Sequence, residues 1–139
     1  MNWFIVALVA FFGYGFVNLM FKVGERVGAS IPIVTISLYA IAAILSALWF
    51  FYRGQLSLEG LDIKSLAIGS AIAVFSIIGT IAIQEAFKMG PASLIAPLVA
   101  LNSLVVITAS LLVFNEVITL KQFIGIIFAL LAAALIASR

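Results

Sequence analysis

"IQEAFKMGPAS", Ile83 to Ser93, decides how the second half of the chain divides. It follows an unbroken apolar run, places Glu85, Lys88, Gly90 and Pro91 within seven residues, and is followed by another apolar run. Gly90 suits the left-handed backbone that ends a helix, and Pro91 suits the first turn of the next. MGP therefore reads as a tight reversal between two helices. Lys88 falls at the end of the first of them, and Glu85 lies one turn deeper.

Composition says where these helices sit. Of 139 residues, 66% are hydrophobic and 9% are Asp, Glu, Lys or Arg, against about 25% in soluble domains. A water-facing surface cannot be built from so few charges, so the chain reads as a membrane protein. A net charge of +2, with no basic run, gives no footing for nucleic acid. Histidine and cysteine are absent, which excludes disulfides, Cys or His metal sites and Cys/His or Ser/His nucleophiles. No enzyme, cofactor or metal is expected. The opening MNWFIVALVAFF has no basic segment before its apolar stretch and no small-residue cleavage site, and reads as a first span rather than a removable signal.

Working outward, five segments approach the roughly 20 residues a helix needs to cross a bilayer. They are Trp3 to Phe21, Ile33 to Phe51, Leu66 to Phe87, Ala92 to Phe114 and Leu120 to Ala137. Pro32 sits just inside the second start, Asp62 can cap the third, and Thr119 with Gln122 forms a capping box for the fifth. The longest connection runs from Arg53 to Lys64. The expectation is an all-α membrane protein, one five-helix bundle over residues 1–139.

Polar residues within the spans fall in lines. Tyr14, Asn18 and Lys22 recur every fourth residue on span one, and Thr35, Tyr39 and Ser46 share a face of span two. Ser76, Thr80, Gln84 and Lys88 form one line on span three, while span four carries Asn102, Ser103 and Ser110. Helical spacing places each line on one side of its helix. Such residues can simply hydrogen-bond between helices or back to their own. Together they also read as walls of a solute cavity, with Tyr14, Asn18, Tyr39, Ser76, Thr80, Gln84 and Asn102 as candidate substrate contacts. Glu85 is either half of an interfacial ion pair with Lys88 or a protonatable carboxylate that couples transport to protons. Span five has no polar side chain from Phe123 to Ala137, but Gly125, Ala129, Ala133 and Ala137 follow at intervals of four. Small residues at that spacing allow close approach of a second helix, so this row is the candidate dimer interface.

Orientation is balanced. Arg53, Lys64 and Lys121 lie on the N-terminal side, and Lys22, Arg26, Lys88 and Arg139 on the other. Three against four gives no usable positive-inside bias. A chain so balanced can insert both ways and pair with an oppositely oriented copy.

Residues 86–138, AFKMGPASLIAPLVALNSLVVITASLLVFNEVITLKQFIGIIFALLAAALIAS, resemble the second half of an EamA-type domain of the drug/metabolite transporter superfamily. The matching features are Ala86, Phe87, Lys88, Gly90, Ala92, Ser93 and Pro97, then Glu116, Thr119, Gln122 and Gly125. Asn115 replaces the usual glycine before the glutamate, and in FGYGFVNLMFK of the first span Phe12 stands where tryptophan is common. The resemblance implies one unit of a protein whose relatives fuse two such units as an inverted repeat. It also implies secondary transport of a small organic solute by alternating access, in a multi-pass protein of the cytoplasmic membrane. An antiparallel homodimer is the implied assembly. Small multidrug resistance relatives use a glutamate of the first helix, and the span Trp3 to Phe21 has none. Alternatives are a lipid-linked sugar or lipid flippase subunit, and a non-transporting scaffold. Pro97 is the expected irregularity of span four.

Overall fold

The computed structural model describes residues 3–56 and 62–137. The chain is all-helical, with no strand among the described residues: α1 Trp3–Arg26, α2 Ile31–Tyr52, α3 Ile63–Met89, α4 Ala92–Ala100, α5 Ser103–Val113 and α6 Leu120–Ala137. It falls into two compact units, Met1–Lys88 and Met89–Arg139. By length and composition α1, α2, α3 and the stretch Ala92–Val113 can each cross a membrane, and α6 is a shorter apolar helix. Four of the five expected spans are thus present at spanning length, and the fifth as the shorter α6, consistent with a five-helix bundle.

Helix ends in the first unit follow local chemistry. Gly28 and Gly54 both have positive φ. At the first, the Ala29 N–H donates to the Gly24 carbonyl at 2.9 Å and Gly28 N–H to Glu25 at 3.1 Å; at the second, Gln55 N–H reaches Phe50 and Gly54 N–H reaches Phe51. Both are Schellman ends, which require a left-handed residue that glycine supplies without a Cβ clash. Arg53 then lies 5.6 Å over the Trp49 ring, at the membrane-surface end of α2. Asp62 caps α3 as expected, accepting from the Lys64 and Ser65 N–H groups at 2.7 and 2.8 Å and from the Ser65 hydroxyl at 2.8 Å. The Ser65 bonds hold its carboxyl below the ordinary carboxylate value. Since the folded value is the depressed one, the cap is at full strength above the ordinary carboxylate range and is lost as pH falls below it.

Two boundaries differ from the sequence expectation. α1 continues past Phe21 to Arg26, which puts Glu25 on the same helix as Lys22. Left-handed backbone falls at Gly28, Gly54 and Asn115 and not at Gly90, and Pro91 is an extended N-cap of α4 rather than part of its first turn. Extended backbone at Pro91 is compatible with its fixed φ.

In the second unit, α4 packs against α6. Span four is broken, but not at Pro97. Pro97 lies inside α4, and the break falls at Leu101 and Asn102. There the bonding tightens to i→i+3, with Leu101 N–H to Leu98, Asn102 to Val99, Leu104 to Leu101 and Val105 to Asn102, all at 2.9–3.2 Å. The Ser103 hydroxyl donates to the Ala100 carbonyl at 3.0 Å. A serine that bonds back to its own helix competes with regular helical bonding, and Ser103 stands directly after the break. Because lipid supplies no hydrogen bonds, the tightened turn and the serine keep the exposed backbone satisfied.

α5 ends at Asn115, whose φ of 52° is left-handed. Asparagine tolerates that region best after glycine, so it fills the conformational role of the glycine it replaces. Asn115→Gly is expected to leave chemical unfolding in detergent unchanged, while Asn115→Val costs about 1–2 kcal/mol. Equal losses in both variants would place the role in the amide group instead. The capping box of α6 is formed as expected: Gln122 Oε1 accepts from the Thr119 N–H at 2.7 Å and hydroxyl at 2.9 Å, and Gln122 N–H donates to Thr119 Oγ1 at 3.3 Å.

Candidate solute site between the second and third helices

Among the described residues only Phe87, Gln84 and Thr35 are buried, at 1, 5 and 8% exposure. Two of these three are polar, and they bond to one another. Gln84 Nε2 donates to Thr35 Oγ1 at 2.8 Å and lies 3.4 Å from the Thr80 carbonyl of its own helix. One turn along, the Tyr39 hydroxyl pairs with Ser76 Oγ at 2.7 Å and with Thr80 Oγ1 at 2.9 Å. Thr35 and Tyr39 are one helical turn apart on α2; Ser76, Thr80 and Gln84 are successive turns of α3. The two lines legible in the sequence thus meet as one polar seam. Its hydroxyls can each donate or accept, so the seam can exchange an internal partner for a solute group without stranding a donor.

A cleft of about 810 Å³ opens beside this seam, lined by Thr35, Tyr39, Ile77, Ile81, Glu85 and Lys88 among others; Ser76, Thr80 and Gln84 are not on its wall. Polar groups lie on its α2 wall and at its charged end, with isoleucines between them. Glu85 faces this cleft and also pairs with Lys88, whose Nζ lies 3.2 Å from Oε1, both side chains being about half exposed. The ion pair and the cleft-facing carboxylate are therefore one arrangement.

The other expected contacts are placed as follows. Asn18 is half-buried and Tyr14 is exposed on α1, and neither makes a side-chain hydrogen bond among the described residues. Ser46 bonds back to the Ala43 carbonyl at 3.0 Å and does not join the seam. Asn102 belongs to the second unit, at the break in span four, exposed and with no side-chain cap bond. Gly125 and Ala129 line a cleft of about 390 Å³ beside Ile107, Ile118 and Gln122, and Ala129 also lines one of about 220 Å³ beside Pro97 and Leu101. The side chains of Ala133 and Ala137 lie outside the described residues.

A charged cluster that the sequence reading did not assemble lies at the same end of the unit. Lys22 Nζ sits 2.8 Å from Glu25 Oε2 and donates to the Phe87 carbonyl at 2.7 Å. Phe87 is in the last turn of α3, where carbonyls have no partner within the helix, so a lysine from α1 supplies one. The signal available in sequence was the Lys22–Glu25 spacing of three, which requires the helix to extend beyond the apolar run.

The family described as EamA-like transporter family matches residues 1–138, across both units. No curated protein and no solved structure matches the chain.

Proposed function

The chain belongs to the EamA-like transporter family, and on that premise we propose that it is a secondary transporter of a small organic solute, working by alternating access as a pair of inverted units. Family membership and the apolar helices make it a multi-pass membrane protein of a transporter family, not of an enzyme family; the membrane we assign is the cytoplasmic one. The observation that carries the reading is the polar seam Thr35–Gln84 and Tyr39–Ser76–Thr80, whose α2 members Thr35 and Tyr39 also line the α2–α3 cleft. A purely structural seam has no need of a cleft beside it.

Tyr39 is the residue we assign to the solute, because its hydroxyl is shared between two α3 hydroxyls and lines the cleft. Tyr14 and Asn18 are assigned to the wider pathway of the first unit from their positions along α1. The test is uptake into proteoliposomes from a panel of radiolabelled amino acids, sugars and amines, with and without a pH gradient. Tyr39→Phe is expected to lower uptake of the transported solute at least tenfold while costing about 1 kcal/mol of stability, the sum of two interhelical hydrogen bonds. Wild-type uptake by Tyr39→Phe would remove the seam from the pathway, and an inert wild-type protein across the panel would favour a scaffold.

The partner in this reading is a second copy in the opposite orientation, supported by the near-equal Lys and Arg counts on the two sides. The contact we assign is the row Gly125, Ala129, Ala133 and Ala137. Open space surrounds the position where a Cβ on Gly125 would stand, which leaves room for an approaching backbone. Ala129→Leu is expected to reduce crosslinking through cysteines introduced on α6, in a chain that has none of its own. Undiminished crosslinking would mean that the leucine is absorbed by the clefts within the unit.

A further inference from the structure

Lys22 is held in an unusual way for a lysine at a membrane surface. Such side chains ordinarily extend into water or the headgroup layer. Its ammonium instead turns inward onto two acceptors, the Glu25 carboxylate at 2.8 Å and the Phe87 carbonyl at 2.7 Å, and its side chain is only 21% exposed. The residue that bears this carbonyl, Phe87, is buried at the end of α3. A carboxylate and an unpaired helix-end carbonyl together form an acceptor pair for an N–H-bearing cation. Beside Glu25 lies a cavity of about 270 Å³, lined also by Phe21, Gly24, Val34, Gln84 and Lys88. Lys88 does not cancel the carboxylate, because its own charge is matched by Glu85 at 3.2 Å.

We propose that this junction of α1 and α3 is a primary-ammonium site, that Lys22 fills it as a tethered ligand in this state, and that the ammonium end of a small solute takes its place when Lys22 swings out to the membrane surface. Glu25 keeps one cation in either state, so the exchange leaves its half-buried carboxylate paired throughout. The Phe87 carbonyl likewise keeps one donor. The Phe21 ring on the cavity wall suits a cation as well as an alkyl chain. That the incoming amine is a transported solute rests on the transport reading above; the existence of the site does not.

The test is chemical rescue of the purified full chain in detergent. Lys22→Ala is expected to lower the Tm, and ethylammonium chloride to restore most of the loss in a saturable manner. Choline chloride at equal ionic strength, a cation without N–H donors, is expected to restore none of it, and wild-type protein to gain less than the variant. Should Lys22→Ala not fold, Lys22→Gln serves, because its amide can still donate to the Phe87 carbonyl while leaving Glu25 without a cation. Adding Glu25→Gln to either variant is expected to abolish rescue. Equal restoration by choline, no restoration by ethylammonium, or rescue that persists without Glu25 would overturn the site. Failure of every solute to enter proteoliposomes would count against the transport reading alone, since rescue requires no transport.

Discussion

Replacing Phe87 by alanine is expected to destabilise the first unit by about 3 kcal/mol, the low end for emptying a buried aromatic position. The low end applies because lipid is as apolar as the site. Moving a ring out of protein into hydrocarbon forfeits packing but no transfer from water. Phe87 is 1% exposed, whereas Phe75, twelve residues earlier on the same helix, is 76% exposed. Phe75→Ala is therefore expected to cost under about 0.5 kcal/mol. Reversible unfolding in mixed detergent micelles measures both, and equal losses would mean that the burial of Phe87 carries no energetic weight. The Phe87 carbonyl is retained in the variant, so any loss is separate from the bond to Lys22.

Glu85→Gln is expected to abolish uptake driven by a pH gradient while leaving solute binding measurable. Glu85 faces the α2–α3 cleft and pairs with Lys88. If Glu85 has the proton-coupling role that its sequence position suggests, the pair with Lys88 at the charged end of the cleft would open when the carboxylate is neutralised and re-form when it is not. Glutamine keeps the shape and most hydrogen bonding but cannot titrate. The pair is half exposed, so losing it costs under about 1 kcal/mol of stability. Uptake with an unchanged pH dependence, compared across several gradient magnitudes, would reduce Glu85 to an interfacial ion pair. Asp62→Gln, in the cap of α3 and away from the cleft, is the control for loss of a carboxylate alone.

What could be read from the sequence was whatever depends on neighbours along the chain. Thr119 and Gln122 had to find each other because a capping box spans three residues, and Asp62 had to cap because the first α3 amides are adjacent to it. The Thr35–Tyr39 line and the Ser76–Thr80–Gln84 line were legible from helical spacing. Spacing gives a face but not its neighbour, and only the fold shows that these two faces bond to each other. Lys22 is legible on the span-one line, but its partners are not, for a different reason. The end of α1 was placed where hydropathy stops, at Phe21, but a helix ends where its hydrogen bonding stops, at the Gly28 terminus. The acceptor of Lys22, a backbone carbonyl 65 positions away, has no side-chain signature at all. In span four the break lies not at Pro97 but at Leu101 and Asn102, beside the Ser103 hydroxyl that bonds back to the Ala100 carbonyl.

That break has a consequence for how the protein is made. Insertion into a bilayer is decided by the summed apolar character of a segment, and Ala92–Val113 meets the requirement as a single stretch. Whatever machinery releases it into lipid handles an ordinary continuous span. The interruption at Leu101 and Asn102 can then be settled afterwards, when α4 finds α6. Biogenesis and architecture are thereby set by different residues: substitutions at Asn102 or Ser103 can straighten the span without altering whether it inserts, and the number of membrane crossings is insulated from changes in the shape of the finished helix.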